Sequence, residues 1–333
     1  MKNKRLDDIS ILRVFCILVV VFFHCYQMMW AKAHFPLTIT AYRKLYFNVV
    51  ECGAINIAMP FFVSISGYLF CYLLMLGKYP TWEYLLQKKG LRILLPYVVF
   101  SLLFMVTTDS WNPMSILRAS YWHLWFLPML FWCFIFGYGL YRMKLRVNVE
   151  VILITILFGG TLMSGFFLKW LGLARINYWY YWFYLGFLCY KYREVLSSFL
   201  SKYKLAILML LCSISIIVLF PVEYGNSTWH GNLAVTCCFV SISSLMSGIE
   251  WSKHKVTVPI VKFSSYSFGI YIWHNWVALM LISNTSKEIF GLPELAANHV
   301  ILFPLCFSLI TLTISWGLSW AMMKTKIGKF LIG

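Results

Sequence analysis

An arginine and a histidine lie inside the first apolar segment, ISILRVFCILVVVFFHCYQ: Arg13 and His24, with ten residues between them. A helix turns about 100° per residue, so eleven steps bring His24 to within about 20° of the face that carries Arg13, about 16 Å further along the axis. Ionisable side chains inside a membrane span are costly and turn toward protein or a water-filled cavity. A neutral imidazole there holds a lone pair that can take a proton, which makes His24 a candidate general base. The guanidinium of Arg13 stays cationic and suits an anionic group. Two plainer roles compete: Arg13 can snorkel to the headgroups, and His24 can be a hydrogen-bonded structural residue.

Other polar positions recur in apolar surroundings. In SSYSFGIYIWHNW, Ser264, Ser267, Tyr271 and His274 follow steps of three, four and three, which line one helix face, with Asn275 beside it. Such a seam binds a polar substrate or simply hydrogen-bonds neighbouring helices. YWHLWFLPML carries Tyr121, His123 and Trp125, either a place for a sugar to stack or an aromatic belt. Lys88, Lys89 and Arg92 precede an apolar run; Lys89 and Arg92, three apart, share a face. They suit a phosphorylated ligand, or only the cationic bias of cytoplasmic loops. AMPFFVSISGYLF places Ser64, Ser66 and Gly67 where a neighbouring helix can approach closely.

The elements that must position these residues are membrane helices. Of 333 residues, 61% are hydrophobic and 12% charged, against nearer half and a quarter in soluble domains. Apolar segments at 9–29, 55–77, 93–110, 122–141, 149–170, 177–192, 204–221, 232–249, 264–283 and 300–323 are near the ~20 residues a spanning helix needs. The expected fold is therefore all-α: a polytopic bundle of about ten transmembrane helices forming a single domain over 1–333. The first segment is full length with no small-residue cleavage site after it, unlike a secretory signal.

With both termini cytoplasmic, 21 of the 28 lysines and arginines fall on the inner side, as the positive-inside rule requires. The net charge of +17 is thus explained by topology, and nucleic acid is not an expected partner. In that orientation Arg13 faces the inner half, while His24 lies roughly 22 Å up a ~30 Å core, at a depth His274 matches. TWEYLLQKK reads as an interfacial helix before the third span, with Pro96 marking a kink. The ten cysteines form no CxxC pair and read as free, buried and structural. The polar loops 222–231 and 284–299 are candidate lids, and Asn226-Ser-Thr and Asn284-Thr-Ser are glycosylation tracts only in a secretory membrane.

Taken together, five segments resemble the membrane-bound acyltransferase-3 family, whose members acylate surface polysaccharides. Arg13 and His24 match its arginine–ten residues–histidine span; FFVSISGYLF at 61–70 resembles its FFVLSGFL-like segment. Lys89-Gly-Leu-Arg92 before Leu94-Leu95-Pro96 resembles its basic RxxR-like element, HLWFLP at 123–128 is unchanged, and Ser265-Tyr266 through Tyr271 and His274 resembles its SYxxYLxH-like segment. The matches fall in order across 5–276. Three positions depart: Ser10 and Val14 stand where the family often has aspartate and glycine, and Lys89 replaces an arginine, losing a planar fork.

The resemblance implies O-acetylation: acyl transfer from acetyl-CoA or another acyl-CoA to a hydroxyl of a surface glycan or lipid-linked saccharide, in a bacterial cell membrane and without a metal. His24 and Arg13 would be catalytic. Arg92, Lys89 and Lys88 would bind the donor's phosphates. Tyr121, His123, Trp125, Tyr271, His274 and Asn275 would bind the acceptor. The alternative is a polytopic transporter or exporter of a glycan or acylated metabolite. Against it stand the lack of an inverted repeat and the scarcity of intramembrane carboxylates.

Overall fold

A computed structural model describes residues 6–30, 55–118, 121–163, 170–202, 204–219, 228–282, 292–299 and 302–333. Loop residues 220–227 and 283–291, and with them the tract asparagines Asn226 and Asn284, lie outside the described residues. So do Lys32, Arg43, Lys44, Lys169 and Lys287. No strand occurs among the described residues.

In chain order the helices begin with α1 (Asp7–Trp30), α2 (Ile55–Met75), α3 (Trp82–Lys89), α4 (Leu95–Thr107), α5 (Met114–Leu117) and α6 (Phe126–Met143). Next come α7 (Val147–Gly160), α8 (Ile176–Lys191), α9 (Arg193–Lys202), α10 (Leu205–Leu219) and α11 (Trp229–Ser247). The last are α12 (Thr257–Ser264), α13 (Ser267–Leu281), α14 (Leu292–Asn298), α15 (Leu302–Met322) and α16 (Lys326–Ile332). Each apolar segment read from the sequence contains one of these helices. Among the described residues, five helical stretches are long and apolar enough to cross a membrane: Asp7–Met28, Asn56–Met75, Trp82–Thr107, Met114–Met143 and Leu302–Met322. The pair Arg193–Leu200 and Leu205–Ile217, bent by 87°, adds a sixth if it is one broken span.

The helix expected before the third span leads directly into it: α3 runs through a π-helical turn, Gly90–Leu94, into α4. Proline at 96 lacks an N–H and its ring crowds the carbonyl four residues back. The wider turn, in which the Leu95 N–H reaches the Gly90 carbonyl, takes up that misfit. Thr81 caps the start, its Oγ1 accepting from the Tyr84 N–H at 3.3 Å.

The chain divides into two compact units. The first comprises Met1–Ile9, Pro60–Ile216 and Ser227–Trp251. Its centre is α8, where every residue from Trp179 to Phe187 is buried, as expected of a helix apolar all round. α2 crosses α8 at backbone contact. A Cβ on Gly67 would overlap the Phe183 carbonyl, and one on Gly186 the Ser64 carbonyl, while Ser64 Oγ donates to the Trp182 carbonyl at 2.9 Å. Hydroxyl and amide contacts tie in α11: Tyr181 to Thr236 at 2.8 Å and Asn232 to Thr161 at 2.8 Å.

The second unit comprises Ser10–Met59, Ile217–Asn226 and Ser252–Gly333. α13 packs along α15. Gly269 permits this, since a Cβ there would crowd Ser319 and Ile332. α1 joins them, with Cys25 against Ser308 and Thr311. The described cysteines are free, and six are buried as expected, but Cys212 and Cys306 are exposed.

Candidate functional site

Within the second unit, α1 and α13 bring two imidazoles together. The ring centroids of His24 and His274 are 5.1 Å apart and tilted by 44°. His24 is half-buried, with the Phe23 ring at 5.1 Å. His274 is 0% exposed. Its Nδ1 lies 2.7 Å from the Tyr271 carbonyl and 3.1 Å from the Ile270 carbonyl. Carbonyl oxygens only accept, so Nδ1 carries the proton and Nε2 keeps the lone pair of the neutral ring. Tyr271 and Asn275, both buried, flank this histidine, with the Tyr271 ring 6.0 Å away. Ser264 leaves the seam: it ends α12, its Oγ donating to the Val261 carbonyl at 2.7 Å.

α15 contributes residues the sequence reading missed. Ser308, Thr311, Ser315 and Ser319 are all buried, at steps of three, four and four, and they line one face. The same spacing that singled out α13 was present in LFPLCFSLITLTISWGLSW. Ser315 and Ser319 donate to the carbonyls one turn back at 2.7 Å, so much of this stripe satisfies its own helix. Arg13, half-buried, stays on α1 roughly 16 Å from His24 along the axis.

The cationic residues lie in the first unit and do not act alike. Lys88 Nζ donates to Tyr84 Oη at 3.0 Å. Lys89 sits in an aromatic cage, its Nζ 3.5 Å from the Phe134 ring centroid, 5.2 Å from Tyr79 and 5.5 Å from Phe70. Cation–π contact of this kind holds an ammonium in place. Arg92, carried by the π-helical turn, is exposed. Of the three residues, Arg92 is the most exposed.

The aromatic segment, also in the first unit, is more enclosed than a rim. Tyr121 and His123 are buried. Tyr121 stacks on Trp122 at 5.1 Å, and its hydroxyl lies 3.2 Å from Ser110 Oγ. Trp122 takes a left-handed backbone, φ 43°, a costly conformation for a bulky residue. Trp125 is half-buried and carries the Arg175 guanidinium 4.1 Å over its ring. Arg175 was not a candidate, because its partner is fifty residues away in the sequence.

A second unforeseen cluster surrounds Glu150, 4% exposed. Lys191 Nζ donates to its two oxygens at 2.8 and 2.9 Å. Tyr192 donates to it at 2.5 Å and Tyr184 at 3.3 Å. The group borders a cavity of about 330 Å³ also lined by Cys71, Tyr141 and Lys144.

Apolar helices of spanning length and a paired-histidine site define a multi-pass membrane protein with a candidate proton-transfer centre. The profile of the family described as Acyltransferase domain, Acyl_transf_3, matches residues 6–320. The chain therefore belongs to that acyltransferase family. No curated protein matches it, and no solved structure does.

Proposed function

We propose that this acyltransferase moves an acyl group, by family default acetyl, from cytosolic acyl-CoA to a hydroxyl of a surface glycan or lipid-linked saccharide, with His24 as general base. The family match supports acyl transfer and gives the exporter no support. The observation that carries the choice of base is the setting of His24: a half-buried imidazole in an otherwise apolar stretch of helix, with a neutral-tautomer histidine behind it.

His24 takes the acceptor proton as the hydroxyl oxygen attacks the thioester carbonyl. A C–O bond forms and the C–S bond breaks. The sulfur leaves as a thiolate, which the imidazolium can reprotonate, returning His24 to its resting state. Arg92 takes a donor phosphate, with Lys88 and the caged Lys89 adding positive field. Arg13 holds the pantetheine entrance or a further phosphate. Tyr271 and Asn275 orient the acceptor or polarise the carbonyl, and Trp125 offers a stacking face for a sugar. In the membrane we place ten spans with both termini cytoplasmic, in a bacterial cytoplasmic membrane. The charge bias of the loops supports this.

His24→Ala tests the reading. Purified protein in detergent should lose acetyl-CoA-dependent thiol release, and cells should lose the acyl mass from their surface glycans, with the amount of inserted protein unchanged. Full activity in H24A would remove His24 from the mechanism.

A further inference from the structure

We propose that His274 is a positioning residue for His24: its neutral imidazole, held in one tautomer by its own helix, receives the N–H of His24 as His24 becomes protonated. The inference rests on the assignment of His24 as base and reassigns His274, which the sequence suggested as an acceptor-binding group.

Burial separates the two rings. A half-buried His24 can meet a substrate, whereas a ring that is 0% exposed can act only through a neighbour. The neighbour is at hand, since the centroids stand 5.1 Å apart. A ring nitrogen lies just over 1 Å from its centroid, so at this spacing nitrogens that face one another stand about 2.8 Å apart, a hydrogen-bond distance. The resting contact is ring against ring, and catalytic hydrogen bonds commonly tighten only when substrate is present.

The tautomer makes the contact useful. Nδ1–H is committed to the Tyr271 and Ile270 carbonyls, which leaves Nε2 as an acceptor. An acceptor behind a general base orients it and stabilises the imidazolium, the role that a carboxylate plays in the serine hydrolase triad. No carboxylate is available from the helices that form this site: α13 and α15 contain none, and those of α1 are Asp7 and Asp8, at its far end. A neutral acceptor also keeps uncompensated negative charge out of an apolar interior. The proton itself goes from the acceptor hydroxyl to His24 and then to the departing thiolate; His274 keeps its own throughout.

The test compares H274F, which fills the space but cannot accept, with H274Q, whose amide oxygen can. Acetyl-CoA is the probe, with thiol release as the readout. H274F should lose about 10²-fold in kcat with little change in KM for acetyl-CoA, and H274Q should recover part of that loss. H24A/H274F should be no slower than H24A alone, because one residue acts through the other. Carbethoxylation of His24 by diethyl pyrocarbonate, followed by peptide mass spectrometry, should slow in H274F independently of turnover. If H274F does not fold, H274L serves the same comparison.

An inactive H24A beside a fully active H274F would overturn this inference and leave the base intact. Multiplying losses in the double variant, or no recovery with Gln, would reduce His274 to a packing residue. A fully active H24A would instead refute the assignment on which the inference rests.

Discussion

Replacing Lys191 with Met should destabilise the first unit more than replacing the carboxylate it binds. Glu150 is held by Lys191 at 2.8 and 2.9 Å and by two tyrosine hydroxyls. The exposures are unequal: the side chain of Glu150 is 6% accessible and that of Lys191 33%. Removing one partner of a fully buried pair costs about 3–5 kcal/mol, because the other charge is left buried. Water reaches Lys191, and Tyr184 and Tyr192 still donate to the carboxylate, so about 2 kcal/mol is expected for K191M. E150Q keeps an acceptor for one tyrosine, lets the other hydroxyl accept from the new amide N–H, and leaves Lys191 able to turn to solvent, at a cost of about 1 kcal/mol. For a chain of this size, 2 kcal/mol lowers the unfolding midpoint by about 3 °C. Thermal unfolding in detergent, followed by cysteine accessibility or tryptophan emission, reads the difference. The double variant E150L/K191M, which buries no charge, should lose less than K191M alone. A K191M midpoint within 1 °C of the parent, or a double variant worse than K191M, would refute the reasoning.

The basic element should separate into two functions. Arg92→Ala, at an exposed position, should raise KM for acetyl-CoA about tenfold with kcat and folding nearly unchanged, as loss of one charge-assisted phosphate contact predicts; an effect confined to the acceptor would refute the anion site. Lys89→Met should instead lower thermal stability by about 1 kcal/mol through its aromatic cage, which a midpoint measurement checks. Gly186→Leu should abolish the folded state rather than slow it, because Ser64 backbone occupies the place of its Cβ; a monodisperse, active G186L in size-exclusion chromatography would contradict the close α2–α8 crossing.

Local order was readable in the chain. A run of apolar residues commits the backbone to helix in lipid, where each N–H and C=O must be satisfied within its own segment. The helical segments, the face shared by Arg13 and His24, and the need for small residues at Gly67 follow from that rule and from the period of 3.6. The boundaries that moved did so for local reasons of another kind. The third span absorbed α3 through a π-turn because Pro96 needed a wider register, and Ser264 fell to α12 when the helix broke before Ser267.

Which groups meet across helices was decided only by the tertiary structure. His24 and His274 are 250 residues apart, and a periodic pattern says which face of each helix is polar without saying what that face touches. Packing set the buried ring of His274 against the half-buried ring of His24, enclosed Lys89 among three rings while Arg92 stayed exposed, laid Arg175 on Trp125, and closed Lys191 and two tyrosines over Glu150. Residues of one type, indistinguishable by spacing and composition, thus received different work because burial and neighbours, rather than identity, set what a charge or a lone pair can do.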